Sequence, residues 1–143
     1  MVGFGPLEQE LRQYVAANHI SNMVELQGRV QPCNIGRTMS EHDVLVLPSL
    51  REAYGLVVLE ALTVGIPVIV SCQCGCVRDL VSDQNGWIVD ATKVESFDGV
   101  WTEVDRCSPA DWEARRKAAK VTAAQYTSAR SVELTMAALG KWL

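Results

Sequence analysis

Two glutamates, Glu52 and Glu60, are the residues of this sequence best suited to chemistry. Carboxylates accept hydrogen bonds from paired hydroxyl groups, such as those of a ribose or a hexose. The alternative is that Glu52 is a solvated loop carboxylate and Glu60 an exposed helix residue. Glu60 lies among the apolar residues 56–59 and 61–62, where an acid needs a partner. We therefore predict that both carboxylates face one cleft.

The segment between the two glutamates predicts an anion site. A helix is expected to begin near Leu56, so the backbone N–H groups of Gly55, Leu56 and Val57 have no partner within that helix. The helix dipole adds partial positive charge at the same place. These amides are therefore expected to hold a phosphate.

Strands alternate with helices on both sides of this segment. Residues 44–47, 67–70 and 87–89 are short apolar runs, as in strands buried on both faces. Parallel strands require helical crossovers, so the pattern predicts an α/β fold with a Rossmann-like parallel sheet flanked by helices. The loop 48–55 then lies at the carboxyl end of the sheet, where such folds bind ligands. Further strands are predicted at 1–2 and 24–27, and helices at 7–18, 34–41, 56–64, 77–81, 94–106, 109–124 and 128–143.

The composition of the chain excludes several classes of function. The chain has 143 residues, of which 48% are hydrophobic, and a net charge of −4, which predicts one globular domain. A chain without a block of Lys and Arg is not expected to bind nucleic acid. No apolar run approaches the roughly 18 to 20 residues of a membrane span, and the first 20 residues are too polar for a signal peptide. We expect a cytoplasmic location, either free or at the cytoplasmic face of a membrane.

Five cysteines are an odd number and too few for a disulfide scaffold, which favours a reducing compartment. Cys72, Cys74 and Cys76 lie close together, and a soft metal site is one interpretation. Zinc usually takes four ligands with wider spacing, and neither His19 nor His42 is suitably spaced. Small buried thiols around a strand end are the favoured interpretation, and no metal site is predicted.

An ordered set of motifs runs along the chain. The motifs are VGFGP at 2–6, LQGRV at 26–30, HDV at 42–44, PS at 48–49, GIPVI at 65–69 and DQNGWIV at 83–89. Together with the spacing of Glu52 and Glu60, this set strongly resembles the donor-binding signature of retaining glycosyltransferases of family 4, also called group 1, which have the GT-B fold. The resemblance implies that the chain is the C-terminal, donor-binding half of such a fold.

The resemblance also implies a role for individual residues. Glu52 is the implied catalytic residue, because its counterpart contacts hydroxyls of the transferred sugar, and Glu60 is implied to bind the nucleotide ribose. The backbone amides implied to bind the diphosphate are those of Tyr54, Gly55, Leu56 and Val57. Arg29 and Val30 are implied to line the base pocket, with Val30 offering backbone hydrogen bonds. A simple surface cation remains an equal alternative for Arg29.

The implied reaction is retaining transfer of a hexose from a nucleotide sugar to an acceptor glycan, lipid or small molecule. Family members generally need no divalent metal, and no cofactor is expected. The alternative from a different class is a non-catalytic nucleotide-binding or interaction module derived from such an enzyme.

The chain also departs from the family pattern. Residues 1–143 resemble a partial nucleotide-sugar-binding domain, with an α/β core at 1–90 and C-terminal helices at 91–143, but without the first strand and helix. Relatives often have a Gly-Gly pair followed by an acid where this chain has Gly75, Cys76 and Asp79. The acceptor-binding domain is also not represented, so this chain alone is expected to be inactive. The strand at 44–47 would keep an unpaired apolar edge, which predicts self-association.

Overall fold

The computed structural model describes residues 1–139. The chain divides into two compact units, Met1–Arg37 and Thr38–Leu143, and each is described by itself. The predicted division into a core at 1–90 and helices at 91–143 stays a prediction.

The first unit contains helix α1 (Glu8–Ala17) and a short 3-10 helix at Pro32–Asn34, which leads into α2 (Ile35–Ser40). The predicted strands at 1–2 and 24–27 are not full strands, although the two segments pair: the Gln27 N–H donates to the Met1 carbonyl at 3.0 Å. Val2 and Gly28 form one isolated parallel bridge, supported by a 2.8 Å bond from Gly3 N–H to the Gly28 carbonyl. Gly3 and Gly28 have φ angles of +131° and +68°, so the backbone leaves the extended conformation at these two residues.

The second unit contains a parallel sheet of three strands, β1 (Leu45–Leu47), β2 (Val68–Ser71) and β3 (Gly86–Val89), in the order β1-β2-β3. This confirms the predicted α/β class. Each predicted strand from residue 44 onward is present within one or two residues of its expected bounds. The predicted full burial is wrong for β1, which is only half-buried although its residues contact the cores on both faces. Among the described residues it pairs with β2 alone and so lies at the edge of the sheet.

Helices connect and cover these strands. They are α3 (Leu56–Val64), α4 (Val77–Leu80), α5 (Glu95–Arg106), α6 (Pro109–Ala123) and α7 (Ser128–Leu139). The predicted extension of the last helix to residue 143 lies outside the described residues. Gly65 ends α3 with a φ angle of +83°, as its position predicted. Ser108 and Asp111 form a reciprocal capping box at the start of α6.

The sheet has a core on each face. In β2, Val68 and Val70 join a cluster that includes residues of α3, α4 and α6. Ile69 points to the other face and packs with Trp87, Val89 and residues of α5. This alternation follows the two-residue period of a strand. The two layers hold the carboxyl ends of β1, β2 and β3 at one edge of the sheet.

Candidate functional site

Gly55 shapes the turn between β1 and α3. Its φ angle is +93°, a left-handed conformation that favours glycine. A Cβ atom at this position would lie 3.2 Å from Leu47 Cδ2, 3.3 Å from Cys76 Sγ and 3.4 Å from Glu52 Cγ. The turn is therefore packed tightly against the end of β1 and against the neighbouring loop.

The start of α3 offers open backbone donors. The Val58 N–H donates to the Gly55 carbonyl at 2.9 Å, and no side chain caps the helix. Within residues 1–139, the Leu56 and Val57 N–H groups donate to no carbonyl or side chain. Free amides and the positive end of the helix dipole can together bind an anion.

Glu52 lies beside this helix start. It is half-buried, and its Oε1 accepts a long hydrogen bond of 3.4 Å from the Tyr54 N–H. Its Cγ packs under the Gly55 turn. The carboxylate thus lies next to the predicted phosphate site, where it can reach a group attached to that phosphate.

Glu60 lies on the exposed face of α3. The expectation that it needs a partner is wrong, because α3 buries Val58, Ala61 and Leu62 and leaves Glu60 in water. Leu56 and Glu60 share the exposed face and are about 6 Å apart along the helix axis, at 1.5 Å per residue. Helical side chains lean towards the N-terminus, so Glu60 leans towards the open amides.

A turn at residues 72–76 holds the Glu52 loop from the other side. Glu52 and Cys74 form a parallel β-bridge, and the Gly75 N–H donates to the Glu52 carbonyl at 3.0 Å. The Cys76 N–H donates to the Tyr54 carbonyl at 2.9 Å. A Cβ on Gly75 would lie 2.1 Å from the Ala53 oxygen, so only glycine allows this approach. The support of the Glu52 loop by this turn was not predicted from the sequence. The glycine between Cys74 and Cys76 is the sequence feature that could have indicated it.

Two of the three cysteines of this turn are structural on the evidence of their burial. Cys74 and Cys76 are buried, as the favoured interpretation expected, whereas Cys72 is exposed. Burial raises the pKa of both the Cys74 and Cys76 thiols, which keeps them protonated at neutral pH. Among the described residues, no group of three or more His, Cys, Asp and Glu side chains is arranged to hold a metal ion.

Tyr54 and Asp79 are close neighbours at the same edge. Burial raises the pKa of Tyr54, and the negative charge of Asp79 raises it further. Asp79 is exposed in the first turn of α4, and its carbonyl accepts a 2.9 Å bond from the Tyr126 hydroxyl. Tyr54 is therefore a neutral side chain beside the open amides.

Arg29 and Val30 lie in the first compact unit. Val30 is half-buried and Arg29 is exposed, with its guanidinium carbon 5.6 Å from the centre of the Phe4 ring. This contact is a cation–π interaction between surface side chains. Among the residues of the second unit, the structure brings Glu52, Tyr54 and Gly55 together with the start of α3.

Comparison with known proteins places the chain in a family. The family described as "Glycosyl transferases group 1" matches residues 1–120. The chain belongs to this family. This group 1 glycosyltransferase chain is 31% identical over 94 residues to the amylovoran biosynthesis glycosyltransferase AmsK of Erwinia amylovora. That match covers 62% of the chain and 23% of AmsK.

Solved structures support the same assignment at the level of the fold. Anabaena Alr3699/HepE in complex with UDP and glucose superposes with a TM-score of 0.80 at 20% identity, covering 99% of this chain and 40% of that one. Sucrose-phosphate synthase from Thermosynechococcus elongatus has a TM-score of 0.80 at 21% identity, covering 99% and 37%. The fold is therefore part of a GT-B glycosyltransferase fold, and the chain spans well under half of the proteins it matches.

Over the part of the chain that the structure describes, no helix is both long enough and apolar enough to cross a membrane.

Proposed function

We propose that this chain binds a nucleotide-sugar donor for a retaining glycosyltransferase of family 4. The observation that carries the proposal is the Gly55 turn, which leaves the Leu56 and Val57 amides open beside Glu52. Membership of the group 1 family supports it. Further support comes from the structural neighbour HepE, solved in complex with UDP-glucose.

In this proposal the donor runs along the exposed side of α3. The diphosphate accepts hydrogen bonds from the backbone amides of residues 54–57, at the positive end of the helix dipole. The ribose lies about one helical turn further on, where Glu60 accepts from its paired hydroxyls. The transferred hexose lies on the other side of the diphosphate, against Glu52. The base-binding roles that the family resemblance implies for Val30 and Arg29, which lie in the first compact unit, stay a prediction.

The chemistry of this site follows from its charges. In the transfer, the bond between the anomeric carbon and the diphosphate oxygen breaks, and the acceptor oxygen forms a new bond on the same face of the sugar while its hydroxyl proton passes to the leaving diphosphate. Negative charge develops on the leaving diphosphate, and the open amides stabilise it. Glu52 is the catalytic residue in the sense that it holds hydroxyls of the reacting sugar. We propose that no cofactor and no divalent metal take part.

The rest of the enzyme is also part of the proposal. The acceptor, whether glycan, lipid or small molecule, binds to a second domain that residues 1–139 do not contain. Residues 1–90 then form the α/β core of the donor domain, and residues 91–143 its C-terminal helices. The donor site faces the cytoplasm, where nucleotide sugars are available.

Isothermal titration of two ligands against two variants tests the assignment. Glu60→Ala should weaken the binding of UDP and of UDP-glucose alike, because both ligands carry the ribose. One lost hydrogen bond to a charged group is worth about 1.5 to 3 kcal/mol, or roughly 10- to 150-fold in affinity. Glu52→Ala should leave the affinity for UDP unchanged and lower only the affinity for UDP-glucose. Glu113→Ala, at an exposed glutamate of α6, is the matched control and should change neither affinity.

Two results would contradict the proposal. If the wild-type chain binds neither ligand, the donor site is absent. If Glu52→Ala weakens UDP and UDP-glucose equally, Glu52 does not contact the sugar.

A further inference from the structure

A second polar cluster lies at the carboxyl edge of the sheet, beside the donor loop. Its members are Ser71, the last residue of β2, Gln73 in the following turn, and Asp90, which follows β3. Ser71 is fully buried, and the other two are half-buried. The sequence motifs gave no role to any of these residues.

Gln73 connects the other two side chains. Its Nε2 donates to Asp90 Oδ1 at 3.1 Å, and its Oε1 accepts from the Ser71 hydroxyl. A carboxylate only accepts, so the amide nitrogen must face Asp90 and the amide oxygen must face Ser71. The Gln73 side chain is therefore held at both ends in a single orientation.

Asp90 is itself fixed by its own loop. Its Oδ1 accepts from the Thr92 hydroxyl at 2.6 Å and from the Thr92 N–H at 3.0 Å. Lys93 Nζ lies 3.2 Å from Oδ2. The hydrogen bonds from Thr92, followed by that from Gln73, hold the pKa of Asp90 well below its usual range. Asp90 is thus a permanent anion at neutral pH, which strengthens the bond it accepts from Gln73.

The same turn that carries Gln73 also supports Glu52. Cys74, the next residue, forms the β-bridge with Glu52, and the Gly75 N–H donates to the Glu52 carbonyl. A continuous path of contacts therefore runs from Asp90 through Gln73 and the turn to the backbone of Glu52. The Leu56 and Val57 amides have a separate support, because α3 is anchored by its own buried face.

We propose that Gln73 and Asp90 are positioning residues that set Glu52 against the donor sugar. This inference rests on the proposed function, since it assigns Glu52 to the sugar. Loss of the Gln73–Asp90 bond loosens the turn 72–76, and the turn then holds the backbone of Glu52 less firmly. Binding of the sugar is expected to weaken most, because the Leu56 and Val57 amides and Glu60 belong to α3 and not to this turn.

Four variants separate positioning from general folding. Gln73→Met removes the amide from the turn side, and Asp90→Ala removes its acceptor. Thr92→Ala is the matched control, because it deletes the 2.6 Å bond to the same Oδ1 but leaves the Gln73 contact in place. Asp90→Asn keeps an acceptor oxygen for Gln73 and should largely rescue the effect of Asp90→Ala.

The first measurement needs no ligand. Hydrogen exchange of the Gly75 and Cys76 amides, which donate to the Glu52 and Tyr54 carbonyls, should be faster in Gln73→Met and Asp90→Ala. One hydrogen bond of typical net strength corresponds to an increase of roughly tenfold. Exchange in Thr92→Ala should match the wild type. Unchanged exchange in the first two variants would overturn the inference and leave the proposed function standing.

The second measurement titrates UDP and UDP-glucose against folded variants. Gln73→Met and Asp90→Ala should weaken the binding of UDP-glucose by about tenfold and should weaken the binding of UDP by less. An equal loss for both ligands, or the same loss in Thr92→Ala, would overturn the positioning role. Failure of the wild-type chain to bind UDP-glucose would overturn the proposed function and this inference with it.

Discussion

A pair of glycines at the two ends of α3 gives a sharp test of the phosphate site. Gly55 and Gly65 both have left-handed backbones, with φ angles of +93° and +83°. An alanine in this conformation costs roughly 1 to 2 kcal/mol of folding free energy. Gly55→Ala and Gly65→Ala should therefore destabilise the chain by similar amounts through backbone strain alone.

The surroundings of the two glycines differ. A Cβ on Gly65 would lie 2.6 Å from Lys120 Cε, the far end of a flexible side chain that can move away. A Cβ on Gly55 would point inward, at 3.2 to 3.4 Å from Leu47, Cys76 and Glu52. These contacts would move the turn rather than block the phosphate directly. The Leu56 and Val57 amides would then lose their alignment.

The expected loss of affinity is specific to Gly55→Ala. Misplacing one donor to a charged phosphate costs about 1.5 to 3 kcal/mol, or roughly 10- to 150-fold in the dissociation constant for UDP. Gly65→Ala should bind UDP like the wild type. Chemical denaturation gives the free energy of unfolding of each variant, and titration calorimetry is run at a temperature where all three proteins are folded. Wild-type affinity in Gly55→Ala would refute a phosphate site at this helix start.

Three other perturbations test the fold around the site. Asn85→Ala should lower the free energy of unfolding by about 1 to 3 kcal/mol, because the buried side-chain amide makes three hydrogen bonds. Its partners are the Leu80 carbonyl, the Ser82 N–H and the Thr122 hydroxyl. Gln84→Ala, at the exposed neighbouring residue, should have little effect on the free energy of unfolding. The pKa of Asp90 is lowered by folding, so its contribution to stability is present above the unfolded pKa of about 4 and declines as pH falls towards the folded pKa. Denaturation at several pH values should therefore show the difference between the wild type and Asp90→Ala shrinking below about pH 4; a difference that grows there would contradict this sign. Among the described residues β1 pairs with β2 alone, so we expect light scattering after size exclusion to give a mass that rises with concentration, and a monodisperse monomer at all concentrations would count against it.

The sequence allowed the central part of the site to be predicted because its signals are local. The apolar run before Pro48 and the glycine after Val64 mark the end of β1 and the end of α3. The loop that contains Gly55 lies between the end of β1 and the predicted start of α3 near Leu56. A family resemblance carried by ordered motifs supplied the rest of the prediction.

Other features depend on contacts that local patterns do not encode. Helix α3 is apolar on nearly every side, so periodicity could not identify the face on which Glu60 lies exposed. The bridge between Glu52 and Cys74 joins residues 22 positions apart and became visible only in the structure. The lone bridge of Val2 and Gly28 likewise depends on two backbone angles that composition does not fix.

The most direct test of the donor site is a crystal structure of this chain with bound UDP-glucose. The proposal predicts diphosphate oxygens within about 2.7 to 3.2 Å of the Leu56 and Val57 nitrogens, the ribose hydroxyls at Glu60 and the glucose at Glu52. Binding of UDP-glucose at any other surface, with the start of α3 left open to solvent, would contradict the proposal.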